Sequence, residues 1–472
     1  MKNKRPRSDY RLFTKAHRVF RLSVCIILSS FSGIQSATAE ESESRPNIVL
    51  ILIDTLRADL LGCYGRPGDP SPEIDALARD GVRVETVISQ SSWTRPSVGS
   101  MLTSQYPRTL GLYKEQNEIL DDDHVTLAER LQENGYTTIG VTANPVINSA
   151  FNMHQGFDSY SDSDVIFSWM KEPTGDGKKK ELRRFRQLPT ANEVFERAFE
   201  LLDARADESP TYLQLNLMEI HEAWRPWNSL TRKEFKKLFK GQNGKKYLRA
   251  LRQTSLDLDA FISRLRKRPG FNDTLFVITS DHGQGMDDHP HVAMSSFHGR
   301  MIYTSHVRVP QIFYHPGGEL QPGVMEMPIR LLDLLPTLLG YVGLDLPAGL
   351  EGVSFAPLLK GEASIPNPPT EFVTETSYRK YRKIGLYTPS WIYIENRDGH
   401  RGVNPIELQP RGIQEDGQRT DEGEENPRVL AELKEVLSRW ESRHPEVAPT
   451  PYRSGLSETQ IEQLESIGYL GR

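Results

Sequence analysis

The chain has 472 residues, 37% of them hydrophobic and 26% charged. This composition supports a sizeable core and excludes an intrinsically disordered protein. The formal net charge of −5 at pH 7 gives no global attraction to nucleic acid or to anionic membranes, so neither is an expected partner.

The first 39 residues have the pattern of a secretory signal peptide. Eight lysines and arginines lie between Lys2 and Arg21, an apolar run follows at 22–28, and a small-x-small pattern ends at Ala39. The apolar run is shorter than the ~20 residues of a membrane-spanning helix, so no stable membrane span is expected. We therefore expect cleavage near Ala39 and export to the periplasm or the exterior of the cell.

Cleavage changes the charge and the cysteine content of the mature chain. The leader holds eight of the 58 basic residues and one of the 63 acidic residues, which leaves a mature net charge of −12. Cys25 leaves with the leader, and Cys63 remains as a single cysteine. We therefore expect no internal disulfide, so the mature protein depends on its core for stability.

Five short apolar runs rich in β-branched residues predict strands that are buried on both faces. The runs are NIVLILID (47–54), TTIGVTAN (137–144), TYLQLNLM (211–218), TLFVITSD (274–281) and VPQIFYHP (309–316). Helix-like segments separate them, such as HVTLAERLQENGY, in which Gly135 is placed as a C-terminal stop. Repetition of strand, helix and strand predicts an α/β fold, with a largely parallel sheet sandwiched by helices.

The pattern changes after about residue 370. Three segments predict a small antiparallel sheet, and a polar run leads to a final helix: FVTETS (372–377), KIGLYT (383–388), WIYIENR (391–397), the polar run 409–428, and RVLAELKEVLSRWESR (428–443). We therefore expect a main domain over 40–369 and a smaller C-terminal α+β subdomain over 370–472.

Polar residues end two of the predicted strands. Asp54 ends the first strand, and Asp281 with His282 ends a later one. Because ligands of open parallel sheets lie beyond the carboxyl ends of the strands, these three side chains are expected at one edge. Carboxylates and imidazoles are common metal ligands in proteins. An aspartate at the end of a strand can also cap the helix that follows. The pair of strand ends together favours a metal site.

The stretch SSWTRPSVGSMLT (91–103) predicts the start of a helix. In one interpretation Thr94 only caps this helix. In the other it is a nucleophile and a metal ligand, because metal coordination is one of the few ways to generate its alkoxide. A helix N-terminus also favours a bound anion, so an anionic ester would place its central atom beside Thr94. The two interpretations are compatible.

Several ordered motifs resemble the sulfatase family of the alkaline-phosphatase superfamily, from about residue 46 to 365. The motifs are RPNIVLILIDTLRADLLGCYG, SPEIDALARDGV, SSWTRPSVGSMLTSQYP, TSDHG, FHGRMIYTSHVRVPQIF and DLLPTLLGYVGLDLPAGLEGVSFAPLLKG. The ending LSETQIEQLESIGYLG is similar to the tail of bacterial members. The resemblance implies the alkaline-phosphatase/sulfatase fold, a catalytic domain over 40–369, and hydrolysis of anionic esters.

The resemblance also implies roles for individual positions. The metal positions of the family fall on Asp54, Asp281 and His282, and the nucleophile position falls on Thr94. His221 and His298 match histidines or lysines that contact the anionic group or the leaving oxygen. An imidazole suits that work because it can donate to an oxyanion or protonate a leaving group near neutral pH.

The chain departs from the family at the nucleophile. Sulfatases carry C-x-P-x-R or S-x-P-x-R, whose first residue becomes formylglycine, an aldehyde that hydrates and attacks. The same frame here runs from Thr94 to Val98. Threonine is not expected to yield the aldehyde, and valine replaces the arginine.

Other departures concern the metal and its surroundings. His282 stands where asparagine is usual, and Thr55 stands where a second aspartate is usual. The exchange of oxygen ligands for imidazole shifts the expected single divalent ion from calcium toward zinc or manganese.

Leu110 stands where the family commonly has a histidine, and Thr304-Ser305 stand where it commonly has acidic residues. DDHPHV (287–292) offers extra ligands for a second ion, but a solvated loop is the favoured interpretation.

The threonine version of the site resembles phosphodiesterases, phosphonate monoester hydrolases and phosphoethanolamine transferases. We therefore expect an exported metal-dependent hydrolase of phosphate mono- or diesters or phosphonate esters, acting on a small-molecule or polymer-borne substrate. The alternatives are a sulfate-ester hydrolase or a phospho-group transferase without formylglycine. A third is a catalytically silent binding protein, motivated by Val98, Leu110 and Thr304. The sequence gives no indication of the oligomeric state.

Overall fold

A computed structural model describes most of the chain. The described residues are 45–113, 118–162, 188–205, 207–221, 244–286, 288–289, 298–362, 364–399, 403–411 and 421–451. The leader expected over residues 1–39, two of the extra candidate ligands (Asp287 and His291) and the ending LSETQIEQLESIGYLG lie outside them. In the part of the chain that the structure describes, no helix has the length and apolarity required to cross a membrane.

In the described residues the main sheet has nine strands. Eight follow the order β4-β3-β5-β1-β6-β7-β2-β8, and β9 pairs with β2. Their bounds are β1 Asn47–Ile53, β2 Val82–Ile88, β3 Thr137–Thr142, β4 Ser159–Ser161, β5 Thr211–Leu217, β6 Thr274–Thr279, β7 Arg308–Tyr314, β8 Gly323–Met325 and β9 Ile329–Arg330. The neighbours from β4 to β6 pair in parallel. Among the described strands of this sheet, only β7 runs antiparallel to both of its neighbours. The expectation of a largely parallel sheet is therefore confirmed.

Helices cover both faces of this sheet. Their bounds are α1 Pro72–Asp80, α2 Thr94–Thr103, α3 Pro107–Leu110, α4 Leu127–Glu133, α5 Ala191–Asp203, α6 Lys245–Leu265, α7 Thr304–Val307, α8 Leu334–Tyr341, α9 Ala356–Leu359 and α10 Pro427–Arg443. Short 3-10 turns occupy Ala58–Leu60, Gly62–Tyr64, Pro145–Ile147, Ser149–Phe151 and Leu331–Asp333.

The central strand β1 divides the core into two layers. Leu50 and Leu52 join an apolar cluster that includes Val98 of α2. Ile51 joins a second cluster that includes Phe261 of α6. Successive side chains of a strand point to opposite faces, so a continuous apolar run is the pattern of a strand covered on both sides.

The second sheet is antiparallel and lies within the expected C-terminal region. Its strands follow chain order, β10 Phe372–Thr376, β11 Lys383–Tyr387, β12 Trp391–Asn396 and β13 Ile406–Pro410. β13 extends into the run that the sequence marked as polar. Apolar residues of this sheet cluster with Tyr106, Leu332 and Trp440. The subdomain boundary at residue 370 stays a prediction.

Buried ion pairs connect α3 to this second sheet and to α10. Arg108 has a side chain only 3% exposed and binds Glu375 at 3.2 Å and Glu441 at 2.9 Å. Arg397 also donates to Glu441, at 2.8 Å. Hydrogen bonds from Arg397, together with Arg108, lower the pKa of Glu441 from 4.5 to about 2.

We expect the ion pairs of Glu441 with Arg108 and Arg397 to make the stability of the folded protein depend on pH. The pKa of Glu441 is lower in the folded protein than in the unfolded chain. The contribution of Glu441 to the free energy of unfolding is therefore present above pH 4.5 and disappears as the pH falls toward 2. Because a quarter of the side chain is exposed, solvent screening reduces that contribution to about 1–2 kcal/mol.

Urea unfolding of the parent and of Glu441→Gln at pH 7 and at pH 3 tests this dependence. The difference in unfolding free energy between the two proteins should shrink at pH 3. Glu432→Gln is the control, because its partner Arg428 is 91% exposed. An equal difference at both pH values would contradict the assignment.

Candidate active site

The fold brings the predicted strand-end residues together. Asp54 directly follows β1, while Asp281 and His282 follow β6, the parallel neighbour of β1. The three are buried, with exposures of 4%, 0% and 0%. Each offers one ligand atom, and these atoms all lie within 4.8 Å of one another.

Thr94 is the first residue of α2, and its hydroxyl faces this cluster. Its Oγ1 lies 3.3 Å from Asp54 Oδ2 and 3.2 Å from His282 Nε2. Trp93 occupies the N-cap position, and no side chain caps this helix. The hydroxyl of Thr94 is thus committed to the carboxylate and the imidazole, which favours the nucleophile interpretation over the capping interpretation.

The donor atoms of the cluster fit a divalent cation. Asp54 Oδ1 and Asp281 Oδ2 are buried and have no hydrogen-bond partner among the described residues. Burial, together with the charge of Asp281, raises the pKa of Asp54 to about 6, and burial raises the pKa of Asp281 to about 6. Two unpartnered buried carboxylate oxygens repel each other unless a cation lies between them.

The tautomer of His282 completes the fit. Its Nδ1 lies 2.8 Å from the carbonyl oxygen of Gly283, which assigns the ring proton to Nδ1. Nε2 is therefore free to coordinate, and it lies 3.4 Å from Asp281 Oδ2. Burial also lowers the pKa of this imidazole, which favours the neutral form that metals require.

Among the described residues, a further polar cluster does not fit a second ion. Asp273, His315 and Glu319 also converge, but both nitrogens of His315 are engaged. Nδ1 accepts from the amide of Gly317, so Nε2 carries the proton toward Asp273. In DDHPHV, the described His289 packs its ring 4.1 Å from that of Tyr303. His289 is only 7% exposed, so the expectation of a solvated loop does not hold for this side chain.

His221 and His298 lie beside the cluster. Their ring centroids are 5.1 Å apart, and the ring of His298 lies 5.0 Å from that of His282. Nδ1 of His298 is 2.8 Å from Oε1 of Gln284, so a neutral ring keeps its proton on Nδ1 and leaves Nε2 as an acceptor. Burial and the neighbouring histidines hold the pKa of His298 well below its usual range.

One cavity connects these residues. Its lining contains both strand-end and helix-start residues: Asp54, Trp93, Thr94, Arg95, Asn144, Val146, Met218, His221, His298 and Tyr378. The structure therefore places Thr94, His221 and His298 in one cavity with Asp54, which joins Asp281 and His282 in the metal cluster. It also adds four polar or aromatic residues that the sequence interpretation did not assign to the site, Trp93, Arg95, Asn144 and Tyr378.

Asn144 supports Asp54. It follows β3, and its Nδ2 donates to Asp54 Oδ2 at 2.6 Å. Its Oδ1 accepts from the amide of Val146 at 3.0 Å, which fixes the orientation of the amide. The available signal was its position at the end of TTIGVTAN, the same strand-end signal that identified Asp54.

Arg95, the residue after Thr94, contributes to the lining of the cavity. The side chain is 1% exposed, donates to the carbonyl of Val146 at 3.0 Å, and stacks 3.6 Å from the centre of the Phe151 ring. Burial lowers its pKa to about 9. The guanidinium is thus engaged with a backbone carbonyl and Phe151, while Val98 has joined the apolar core.

The other departures also have structural explanations. Leu110 lies in the same apolar cluster as Val98. Thr55 has a positive φ of 59°, and its hydroxyl donates to the carbonyl of Asp54 at 2.6 Å. Its hydroxyl is therefore engaged with the backbone next to the metal cluster.

We expect Asn144→Ala to weaken metal binding by about tenfold, because partners that orient a ligand typically contribute that much. Calorimetric titration with zinc or manganese measures this effect. Asn148→Ala is a matched control. Asn148 is also buried and accepts from the amide of Ala150, but it belongs to the next turn. Equal affinities in the Asn144 variant and the parent would refute this supporting role.

Comparisons with known proteins agree with this site. A model of the sulfatase family matches residues 46–344. An ulvan-active sulfatase of Formosa agariphila is 26% identical over 359 residues, which cover 71% of this chain and 69% of that protein. Human iduronate 2-sulfatase is 24% identical over 420 residues, which cover 69% and 73% of the two chains.

A solved structure extends the likeness to the fold. The phosphonate monoester hydrolase of Agrobacterium radiobacter superposes with a TM-score of 0.64 at 16% identity, covering 87% of this chain and 100% of that one. Sulfatases bind a divalent metal, and the cluster of Asp54, Asp281 and His282 is the candidate site here. The chain therefore belongs to the sulfatase family, as a hydrolase of anionic esters within the alkaline-phosphatase superfamily.

Proposed function

We propose that this protein is a metal-dependent hydrolase of phosphate mono- or diesters or phosphonate esters, with unmodified Thr94 as its nucleophile. One observation carries the proposal. Thr94 Oγ1 lies within 3.3 Å of both Asp54 and His282 at the start of a ten-residue helix. The amides and the dipole of that helix end attract the anionic group toward the hydroxyl.

The chemistry of threonine favours phosphate over sulfate. A hydrated aldehyde has a second hydroxyl, which can expel the bound anion. Threonine lacks this hydroxyl, so its covalent ester has to be cleaved by water at the central atom. A phosphoenzyme on a hydroxyl side chain is an ordinary intermediate of ester hydrolysis, because it divides one difficult displacement into two easier ones.

Asp54, Asp281 and His282 would hold the ion, with Thr94 as a further ligand. We propose zinc or manganese rather than calcium, because a neutral imidazole suits the first two and calcium prefers oxygen. When bound, the ion would stabilise the negative charge that develops on Thr94 Oγ1 and on the phosphoryl oxygens.

In the first step, Thr94 Oγ1 forms a bond to phosphorus while the bond from phosphorus to the leaving oxygen breaks. The hydroxyl proton passes to Asp54 Oδ2, which is its hydrogen-bond acceptor in the structure. His221 donates the proton that the leaving oxygen takes. The products of this step are the free alcohol and a phosphothreonine.

In the second step, water attacks phosphorus and the bond to Thr94 Oγ1 breaks. Nε2 of His298 accepts a proton from the water, because Gln284 holds the ring proton on Nδ1. Thr94 regains its proton from Asp54. His298 then returns a proton to His221, whose ring centroid lies 5.1 Å away. The site is restored and phosphate leaves.

Sulfate-ester hydrolysis is the second candidate. It is favoured by the likeness to the ulvan-active sulfatase, which covers 71% of this chain. In that case Thr94 would attack sulfur, and the rest of the site would act as described.

A panel of 4-nitrophenyl esters separates the two candidates. Phosphate mono- and diesters, a phosphonate and a sulfate with this leaving group are assayed with zinc and with manganese. The proposal expects phosphorus esters to have the highest kcat/KM. A higher kcat/KM on the sulfate would replace phosphate by sulfate hydrolysis, and no turnover of any member would refute hydrolysis of such esters.

A further inference from the structure

The second sheet reaches the nucleophile through Gly299. The amide of Gly299 donates to the carbonyl of Ser92 at 2.7 Å, just before α2 begins. The carbonyl of Gly299 accepts from Thr376 Oγ1 at 2.6 Å, at the end of β10. These two bonds tie the start of α2, the segment after His298 and the end of β10 together.

Gly299 also leaves room for an aromatic side chain. Its φ is +77°, and a Cβ built there would lie 2.8 Å from Cγ of Tyr378. Tyr378 lies in the loop that follows β10 of the second sheet. The close approach of its ring to the Gly299 backbone fixes the position of that ring relative to His298.

Tyr378 and Trp93 form an aromatic pair in the wall of the cavity. Their ring centroids are 5.5 Å apart at an angle of 62°, and both residues line the cavity with Thr94. Trp93 is only 4% exposed. Its Nε1 is buried and has no hydrogen-bond partner in the part of the chain that the structure describes.

We propose that Trp93 and Tyr378 bind the ring of the leaving alcohol and give the enzyme a preference for cyclic over open-chain esters. This inference rests on the proposed function. Aromatic faces bind flat rings and the C–H faces of saturated rings, and such contacts are directional. The free indole N–H offers one donor to an oxygen of the substrate, because buried donors normally have a partner.

The position of the pair explains why it acts on the leaving group. Trp93 directly precedes the nucleophile, and both aromatic residues share the cavity lining with His221 and His298, while Thr94 Oγ1 contacts Asp54 and His282. The anionic group is held by the cluster and the helix end. The alcohol then extends along the part of the wall that these aromatic rings form.

Two matched pairs of phosphate esters test the proposal. Glucose 6-phosphate and sorbitol 6-phosphate present a hydroxylated ring and its open-chain counterpart, each on a primary alcohol. Benzyl phosphate and hexyl phosphate present a plain ring and a plain chain. The arms distinguish a sugar-like ring from an aryl ring, and either cyclic preference supports the subsite.

The parent should have a higher kcat/KM on the cyclic member of at least one pair. Tyr378→Ala should reduce that preference by about five- to tenfold, and Tyr378→Phe should preserve it. Rates on the open-chain member report folding of each variant. Tyr314→Ala is a size-matched control, because this half-buried tyrosine does not line the cavity.

The outcomes separate this inference from the proposed function. A parent that hydrolyses phosphate esters without cyclic preference refutes the aromatic subsite and leaves Thr94 chemistry intact. A preference that survives in Tyr378→Ala refutes it equally. A parent that is inactive on every phosphate ester refutes the proposed function itself.

Discussion

Thr94→Ala should lower kcat by about three orders of magnitude or more, because a lost nucleophile removes the covalent route. The variant should still fold. Trp93, not Thr94, occupies the N-cap of α2, and the hydroxyl makes no cap hydrogen bond. The steady-state rate on the best ester of the panel, with metal content measured on the same preparation, is the test.

Two variants control this experiment. Thr94→Ser keeps a hydroxyl and should retain part of the activity. Thr103→Ala removes a buried threonine at the other end of the same helix, whose hydroxyl only bonds the carbonyl of Gly99. If Thr94→Ala binds metal and turns over within about tenfold of the parent, Thr94 is not the nucleophile.

Removal of the metal should eliminate activity and lower Tm by about 3 °C or more. A bound ligand at a hundredfold excess over Kd stabilises the folded state by about 2.7 kcal/mol, which corresponds to a few degrees in a chain of this size. Without the ion, the unpartnered oxygens of Asp54 and Asp281 are left facing each other. Chelation followed by re-addition of zinc or manganese measures both effects.

Asp281→Asn should lower activity and Tm without a chelator, because it removes one charged metal ligand. Asp273→Asn is the matched control. It changes the second carboxylate–histidine cluster, in which both nitrogens of His315 are engaged. Full activity after exhaustive chelation, or in Asp281→Asn, would contradict a metal-dependent reaction.

The strand ends carried most of the information about the site. Asp54 and the Asp281–His282 pair follow buried apolar runs, and parallel pairing of β1 with β6 brings their ends to one edge. The same logic applies to Asn144 after β3, but an asparagine at a strand end is also an ordinary turn residue. The structure is needed to show that the side-chain amide of Asn144 donates to Asp54.

Contacts between distant segments had no sequence signal. Tyr378 reaches the cavity because Gly299 bonds both Ser92 and Thr376, and no local pattern encodes that contact. Arg95 carries no sequence signal of burial, yet it is 1% exposed and stacks 3.6 Å from the centre of the Phe151 ring. The antiparallel direction of β7 was also not readable, because an apolar run looks the same in either direction.

The stereochemical outcome at phosphorus tests the nucleophile most directly. A phosphorothioate ester made chiral at phosphorus with oxygen isotopes is hydrolysed in isotopically labelled water, and the configuration of the product is determined. Each in-line displacement inverts phosphorus, so attack by Thr94 followed by attack of water is expected to give net retention. Net inversion would mean that water attacks the ester in a single step, and it would contradict a phosphothreonine intermediate.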